Sequence, residues 1–358
     1  MDDPKRPPVP PAKPGSSSLS PAGSSLGSRP ASPLGARPAT MAPIRPQSPL
    51  SSSLSRPLPP RGGATTSSPS AAATAVGGLG QREGGAREFV FTSADFERVR
   101  KLIYQHAGIS LSPAKQDMVY SRLARRLRAT NKNSFGDYLE MLEKGNSDEW
   151  ERFVNSLTTN LTSFFREPHH FPIFAEHLKK LGSRNPIRVW CSAASTGEEP
   201  YSIAMTVAET FNSFTTPVSI IATDLDTNVL ATADKGVYAM DRVERLSPER
   251  LKRFFLKGSG SQEGYAAVRP ELRRMIQFQQ LNLLNASYPV KGPLDVIFCR
   301  NVMIYFDKPT QYKILSRFAP MMQEDGLLFA GHSESFLHAA DIFRSLGKTV
   351  YELSRRTR

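Results

Sequence analysis

Apolar residues follow two different spacings along the chain, and the change between them divides its folded part. From Phe89 to about residue 157 they recur every three or four positions, as at Phe96, Val99 and Ile103. That spacing places them on one face of successive α-helices. The residues that can cap these helices at their N-termini are Thr92, Ser112 and Ser134. The pattern predicts a small N-terminal all-helical domain, at residues 88–157.

After Pro186 short apolar runs alternate with helical stretches. The predicted strands are IRVWC, VSIIATD, MIQFQQLNL, PLDVIFC and GLLFAG, followed by a last apolar pair at 343–346 and 349–353. Such alternation is typical of an α/β domain with a doubly wound parallel sheet and helices on both faces, here residues 158–358. This alternation is interrupted by a stretch with several glycines, LKRFFLKGSGSQEGYAAVRPELRR. The stretch predicts an inserted antiparallel β lobe at about 247–275.

The first 87 residues have a different composition. They contain 17 of the 29 prolines and none of the 32 aromatic residues, so they cannot build a core. We expect a disordered Pro/Ser/Ala-rich tail at 1–87. The tail carries +7 of the formal net charge of +13, which leaves +6 for the folded part. The high net charge is therefore only weak support for nucleic-acid binding.

No run of about 18 apolar residues and no signal-peptide pattern occurs, so the sequence predicts a cytoplasmic protein without membrane insertion. Cys191 and Cys299 each end a predicted strand. Buried, reduced thiols are expected there, on strands that lie side by side.

In open α/β sheets ligands bind at the carboxyl ends of the strands, so the candidate chemistry lies at those tips. The first tip is a loop of small residues with one glycine, Gly197, and without the GxGxxG pattern of dinucleotide sites. Glu198 and Glu199 follow it and can either bind an ammonium group or interact with the helix dipole. At the second tip Asp224 can accept hydrogen bonds from ribose hydroxyls or cap a helix.

The third and fourth tips carry amide and apolar groups that can flank an adenine. These tips are Gln280-Leu-Asn282-Leu283 and Cys299-Arg300-Asn301-Val302. Together the four tips favour S-adenosylmethionine over NAD or ATP. His169, His170 and His332 lack companions at metal-ligand spacing, so no metal site is predicted.

Four segments, NLTSFFREPHHF, CSAASTGEEPYSIA, FCRNVMIYFD and LLFAGHSES, resemble the CheR family of chemotaxis receptor glutamate methyltransferases. The resemblance implies a protein-glutamate O-methyltransferase that transfers a methyl group from S-adenosylmethionine to chemoreceptor glutamates, leaving S-adenosylhomocysteine. It places Asn160, Thr162 and Arg166 on the cofactor, with Glu198 at the methionine end and Asp224 on the ribose. It also places Asn282, Leu283, Arg300 and Asn301 along the adenine side and Tyr305 near the transferred methyl. Arg166 and Tyr305 are both candidates for orienting the acceptor carboxylate, and the sequence does not choose between them.

Two surfaces are candidates for receptor recognition. Arg122, Arg125 and Arg126 project from a predicted helix beside its apolar stripe and can steer an acidic receptor helix, although a solvated surface explains them too. The β insert resembles the form of this lobe that, in some members of the family, docks a receptor's C-terminal peptide.

Two other functions remain open. A nucleic-acid methyltransferase suits the net charge, but the fourth tip reads Arg300-Asn301-Val302-Met303, not the Asn/Asp-Pro-Pro-Tyr of enzymes that methylate base amino groups. The other is a non-enzymatic cofactor-binding scaffold. Base-labile methyl incorporation would distinguish all three.

Overall fold

Among the described residues, four α-helices form the N-terminal domain, and local sequence sets their ends. The computed structural model describes residues 87–145 and 147–354; apart from Arg87, the predicted tail lies outside them. The helices are α1 (Ser93–Ala107), α2 (Gln116–Ala129), α3 (Phe135–Glu143) and α4 (Ser147–Leu157). Thr92 caps α1 in a reciprocal capping box with Asp95, and the Ser134 hydroxyl accepts from the first turn of α3. Ser112 instead precedes a 3₁₀ turn and makes no side-chain cap.

The apolar faces of these helices form one core, as their spacing predicts. Val119, Leu123 and Leu127 of α2 are fully buried, and Phe96, Val99 and Ile103 of α1 pack into the same cluster. Burying large aliphatic and aromatic side chains stabilises a fold by about 1.5 to 3 kcal/mol each. The N-terminal all-helical domain is therefore confirmed.

A seven-stranded sheet follows, in the order β6-β2-β1-β7-β8-β10-β9. The strands are β1 (Ile187–Cys191), β2 (Val218–Asp224), β6 (Ile276–Gln280), β7 (Leu294–Cys299), β8 (Met322–Ala330), β9 (Phe343–Gly347) and β10 (Val350–Leu353). The five strands from β6 to β8 are parallel, whereas β10 and β9 pair antiparallel at one edge. The doubly wound sheet is confirmed, with an antiparallel pair added to it.

Seven α-helices of the described residues lie outside the N-terminal domain. They are α5 (His170–Leu181), α6 (Glu198–Thr210), α7 (Thr227–Lys235), α8 (Met240–Val243), α9 (Pro248–Phe254), α10 (Pro270–Arg273) and α11 (Lys308–Phe318). The chain leaves β1 toward β2 on one side and later adds β7 on the other, so the strand order reverses between β1 and β7. Ligands bind at such reversals, beyond the carboxyl ends of the strands.

The inserted β lobe is a separate three-stranded antiparallel sheet, in the order β3-β5-β4. Its strands are β3 (Val237–Ala239), β4 (Phe255–Lys257) and β5 (Tyr265–Val268). The predicted hairpin is β4 and β5, which pair through Phe255 and Val268. The sheet begins at Val237, upstream of the expected start at about residue 247.

The two cysteines are free, buried thiols. Their strands β1 and β7 are neighbours, and Cys191 pairs in register with Phe298, so Cys299 points to the other face. Consistently, Cys191 and Cys299 belong to different hydrophobic clusters. No helix within the described residues is long and apolar enough to cross a membrane.

Candidate active site

A cavity of about 480 Å³ lies at the carboxyl edge of the parallel strands. Its walls come from the tips of β1, β2, β6 and β7, from the segment 157–166 that joins the domains, and from residues 107–118 of the helical domain. Cavities of this size accommodate cofactor-sized ligands.

Most of the predicted site residues line this cavity. They are Asn160, Thr162, Arg166, Asp224, Asn282, Leu283, Arg300, Asn301 and Tyr305. Gly197 and Glu198 are not among its lining residues. The sheet therefore brings together side chains that are up to 145 positions apart, from Asn160 to Tyr305.

Asp224 ends β2 and is held by the backbone. Its Oδ2 accepts the N–H of Ser195 at 2.8 Å, and its Oδ1 accepts the N–H of Asp226 at 3.0 Å. Each carboxylate oxygen has further lone pairs with which to accept from a ligand. Burial raises the pKa of Asp224, against the backbone hydrogen bonds that lower it. The helix-capping role belongs to Asp226, whose side chain accepts from Asn228 and Val229.

The two adjacent glutamates at the start of α6 point in different directions. Glu199 lines the cavity, where its Oε2 accepts from Arg300 at 2.6 Å. The fully buried Glu198 instead pairs with Arg242, and its Oε2 accepts from Thr196 at 2.6 Å. The acid that faces the cavity is therefore Glu199, which sequence reasoning set beside Glu198 without choosing it.

Gly197 contributes backbone freedom and space. Its φ of +101° lies in the region that glycine tolerates, and a Cβ there would stand 2.6 Å from the Tyr238 hydroxyl and 3.0 Å from Ala233 Cα. Gly197 thus lets the loop after β1 pack against the β lobe and α7.

Arg300 is almost completely buried between two acids. Besides Glu199, its guanidinium lies 3.3 Å from Glu167 and donates to the carbonyl of Arg166. Although burial opposes it, hydrogen bonds from His332 and the charge of Arg300 lower the pKa of Glu167 to about 2. Two carboxylates balance the charge of this guanidinium, and the one that faces the cavity, Glu199, can accept from a cationic ligand group.

Ligand atoms of Glu167, His169 and His170 lie within 4.8 Å of one another. Metals use such atoms, but Glu167 already accepts the backbone N–H and the Nδ1 of His332 at 3.0 Å and faces Arg300. The same carboxylate thus holds the joining segment against the tip of β8. We assign Glu167 to that structural contact, while His170 Nε2 lies 2.9 Å from the Lys348 carbonyl oxygen.

The helical domain closes one side of the cavity through hydrogen bonds to the sheet domain. Ser110 N–H donates to the Tyr305 carbonyl at 2.8 Å, and the Asn282 side chain donates to the His106 carbonyl at 2.9 Å. The exposed Lys115 lines the same wall. Sequence reasoning missed Lys115, because nothing in its spacing connects it with the strand tips.

The structure separates the three arginines of α2. Arg122 donates to the carbonyls of Ser156 and Thr158, and Arg126 makes two hydrogen bonds to the buried Glu149. Thr158 lines the cavity, so Arg122 is coupled to the site. Arg125 is exposed, and no hydrogen bond or ion pair from it is found among the described residues.

The side chains that line the cavity suit S-adenosylmethionine. Asp224 offers acceptors for a diol, Leu283 and Asn282 an apolar and amide wall for a base, and Glu199 a carboxylate for an ammonium group. With the strand-order reversal, this defines a class I S-adenosylmethionine-dependent methyltransferase.

Comparison with known proteins gives the family. The model of the CheR methyltransferase SAM-binding domain matches residues 160–352, and that of the CheR all-alpha domain matches residues 94–158. The chain belongs to the CheR family of chemotaxis methyltransferases, and its cofactor is S-adenosylmethionine.

Its relatives include the chemotaxis protein methyltransferase of Escherichia coli, 52% identical over 74% of this chain and 92% of that protein. Chemotaxis protein methyltransferase 2 of Pseudomonas aeruginosa is 51% identical over 75% of this chain and 95% of that protein. Among solved structures, a TehB-like SAM-dependent methyltransferase from Corynebacterium glutamicum matches at 10% identity and a TM-score of 0.30, covering 52% of this chain and 100% of that one.

Proposed function

We propose that this enzyme methylates glutamate side chains of chemoreceptor cytoplasmic helices and forms glutamyl methyl esters for chemosensory adaptation. The observation that carries the proposal is the absence of a free general base among the described residues that line the cavity. Glu199 is engaged with Arg300, Asp224 accepts two backbone N–H groups, and no histidine lines the wall. Amine acceptors must lose a proton, whereas a glutamate with a pKa of about 4.3 is already ionised at neutral pH.

The cationic residues of the cavity wall suit a carboxylate acceptor. They are Arg166 and Lys115, whereas the charge of Arg300 is already balanced by Glu199 and Glu167. Arg166 Nη1 donates to the Leu161 carbonyl at 3.0 Å, which leaves its other guanidinium N–H groups for an incoming carboxylate. Tyr305 lies in the same wall, and its hydroxyl is 3.4 Å from the Thr159 carbonyl. These contacts favour Arg166 as the residue that holds the acceptor, with Tyr305 beside it.

When bound, the cofactor supplies an electrophilic methyl group on a sulfonium. The chain's own residues hold the acceptor in line, exclude water from the carboxylate and align the two partners. Leu161 and Ile304, respectively 79% and 49% exposed, give this wall an apolar rim. An apolar rim beside cations matches an amphipathic helix that carries glutamates.

The β lobe supports a second receptor contact. Within the described strands, β4 pairs with β5 on one side only, so its other edge is open to an added strand. Val237 and Leu256 both lie in register with Ala267, which sets exposed apolar side chains on one face. We infer that this edge docks a receptor's C-terminal peptide.

Methyl transfer from labelled S-adenosylmethionine to a purified chemoreceptor cytoplasmic domain tests the proposal. Label should enter the receptor and leave as volatile methanol after mild alkali, because methyl esters hydrolyse there. A receptor with its methylatable glutamates changed to alanine is the matched control and should take up none. Label that resists alkali, or that appears on nucleic acid, would contradict the proposed function.

A further inference from the structure

The loop after β7, residues 300–306, lacks the regular backbone hydrogen bonds of an α-helix or a sheet. Asn301 has a φ of +58°, in the left-handed region, and only a single 3₁₀ turn, Met303–Tyr305, follows it. This loop carries Arg300, Asn301, Ile304 and Tyr305 into the cavity wall. Side chains from other elements must therefore hold the backbone of this loop in place.

One buried carboxylate accepts most of the free N–H groups of this loop. Glu334, only 5% exposed, takes the N–H of Met303 at 2.8 Å and of Ile304 at 3.3 Å on Oε1. Its Oε2 takes the N–H of Asn301 at 2.9 Å and also that of Gly331. Four backbone donors from the tips of β7 and β8 thus converge on one side chain.

The carbonyls of the same loop are held from the opposite side. Gln311 of α11 donates its Nε2 to the carbonyl of Met303 at 2.8 Å and to that of Phe306 at 3.0 Å. Gly331 makes the close approach possible, because a Cβ there would lie 2.4 Å from Asn301 Nδ2 and 2.8 Å from Asn301 N. The loop is clamped between the tip of β8 and α11.

We propose that Glu334 is a positioning residue for methyl transfer, which acts by fixing the backbone of residues 301–304 and hence Asn301, Ile304 and Tyr305 at the cofactor. The proposal deepens the proposed function and rests on the assignment of this loop to the cofactor site. Glu334 is absent from the cavity lining, so it works through the loop.

The chemistry requires a carboxylate at this position. Both oxygens of Glu334 accept, so a glutamine can place its carbonyl oxygen under only one pair of N–H groups and must point its own NH₂ at the other pair. Two facing donors in a buried site leave polar groups unsatisfied. Glu334→Gln therefore preserves size and disturbs the loop.

Asp295 offers a matched control on β7, the strand that leads into this loop. It is a carboxylate 1% exposed at the amino end of β7, where it pairs with Arg184 and accepts the N–H of Arg188 at 2.7 Å. Asp295→Asn removes a buried charge at the end of the strand away from the cavity. Gln311→Met, nearly isosteric, loosens the loop from α11 and serves if Glu334→Gln folds poorly.

The experiment measures the Kd for S-adenosylhomocysteine by calorimetry, the KM for each substrate, kcat and the free energy of unfolding. Glu334→Gln should raise the cofactor Kd and KM tenfold or more and lower kcat, and the KM for receptor should rise as well because Ile304 and Tyr305 also border the acceptor. Gln311→Met should move the same constants in the same direction by a smaller factor. Asp295→Asn should lower the free energy of unfolding and leave both cofactor constants at the parent values.

The proposal is overturned if Glu334→Gln keeps the parent cofactor Kd and KM, or if kcat falls only with the folded fraction, as a structural role would produce. A parent enzyme that binds S-adenosylhomocysteine but esterifies no glutamate would instead contradict the proposed function. Because the cofactor Kd is read without the receptor, the two failures are distinguishable.

Discussion

What a single residue in this site can bind depends on the hydrogen-bond acceptors that the fold leaves unoccupied. Asp224 accepts one backbone N–H on each oxygen, at 2.8 and 3.0 Å, and this fixes the plane of its carboxylate. A fixed, ionised acceptor binds a diol more strongly than a mobile one because less conformational entropy is lost.

Asp224→Ala should therefore weaken the binding of S-adenosylhomocysteine. Loss of hydrogen bonds to a charged acceptor costs about 1.5 to 3 kcal/mol, which is about tenfold or more in Kd. Isothermal titration calorimetry measures it, with the exposed Asp241→Ala as control. Unchanged binding by Asp224→Ala would remove this residue from the ribose position.

Glu198 and Glu199 form a natural pair of variants. Glu199→Gln should raise the cofactor Kd about tenfold, since a charge-assisted contact is lost from the cavity. Glu198→Gln should instead lower the free energy of unfolding, because it leaves Arg242 of the lobe without its carboxylate. Arg242 is 41% exposed, so the expected loss is only about 1 kcal/mol.

Calorimetry and denaturant unfolding on both variants separate the two roles. The opposite outcome, with cofactor binding lost only in Glu198→Gln, would restore the sequence-based assignment. The choice between Glu198 and Glu199 could not be made from the sequence, because successive helical residues differ by about 100° and one turn of helix does not say which of them faces the ligand.

At the scale of elements, α2 combines structural and exposed cations. Arg122→Glu would break contacts to the carbonyls of Ser156 and Thr158, so it is an unsuitable test of steering. Arg125→Glu changes only an exposed charge. We expect it to lower the receptor methylation rate several-fold at low ionic strength and less at high salt, with cofactor binding unchanged.

The control for Arg125→Glu is Lys132→Glu, a partly exposed lysine beyond the C-terminus of α2. Rates and salt dependence are measured by initial-rate methylation assays. If Arg125→Glu matches the parent at every salt concentration, this residue belongs to the solvated surface and does not steer the substrate.

The edge of the β lobe makes a second prediction. Leu256→Ser should raise the KM about tenfold for a receptor that carries a C-terminal docking peptide, because burial of a leucine contributes about 1.5 to 3 kcal/mol. A receptor without the peptide should show no change. The control is Leu346→Ser on β9, another exposed leucine. Equal KM values for the two variants with the tailed receptor would place the docking surface elsewhere.

Elements differ in how far the sequence predicts them. The runs IRVWC and VSIIATD coincide with β1 and β2 because their apolar residues are buried on both faces. The three-residue strand β3 was missed, since Val237–Ala239 is too short to show a period. The predicted start of β8 was late, because the polar Gln323, Glu324 and Asp325 precede its apolar part.

At the scale of the whole molecule, the cavity is lined by both the helical domain and the sheet domain, which the sequence predicts as separate domains. The strand tips were predictable, because parallel strands end at one edge. The wall of residues 107–118 was not, since the packing of one domain on another depends on contacts such as Gly108 against Leu284. Lys115 and the Ser110–Tyr305 hydrogen bond follow from that docking.

The placement of the two thiols on opposite faces of one sheet gives the molecule two internal reporters. Burial raises the pKa of both Cys191 and Cys299, so neither forms the reactive thiolate while its own layer stays packed. Pulsed alkylation followed by peptide mass spectrometry should therefore time the opening of each layer independently. Equal labelling rates would mean that the α5–α6 side and the α11 side of the sheet open together, and unequal rates would identify the layer that opens first.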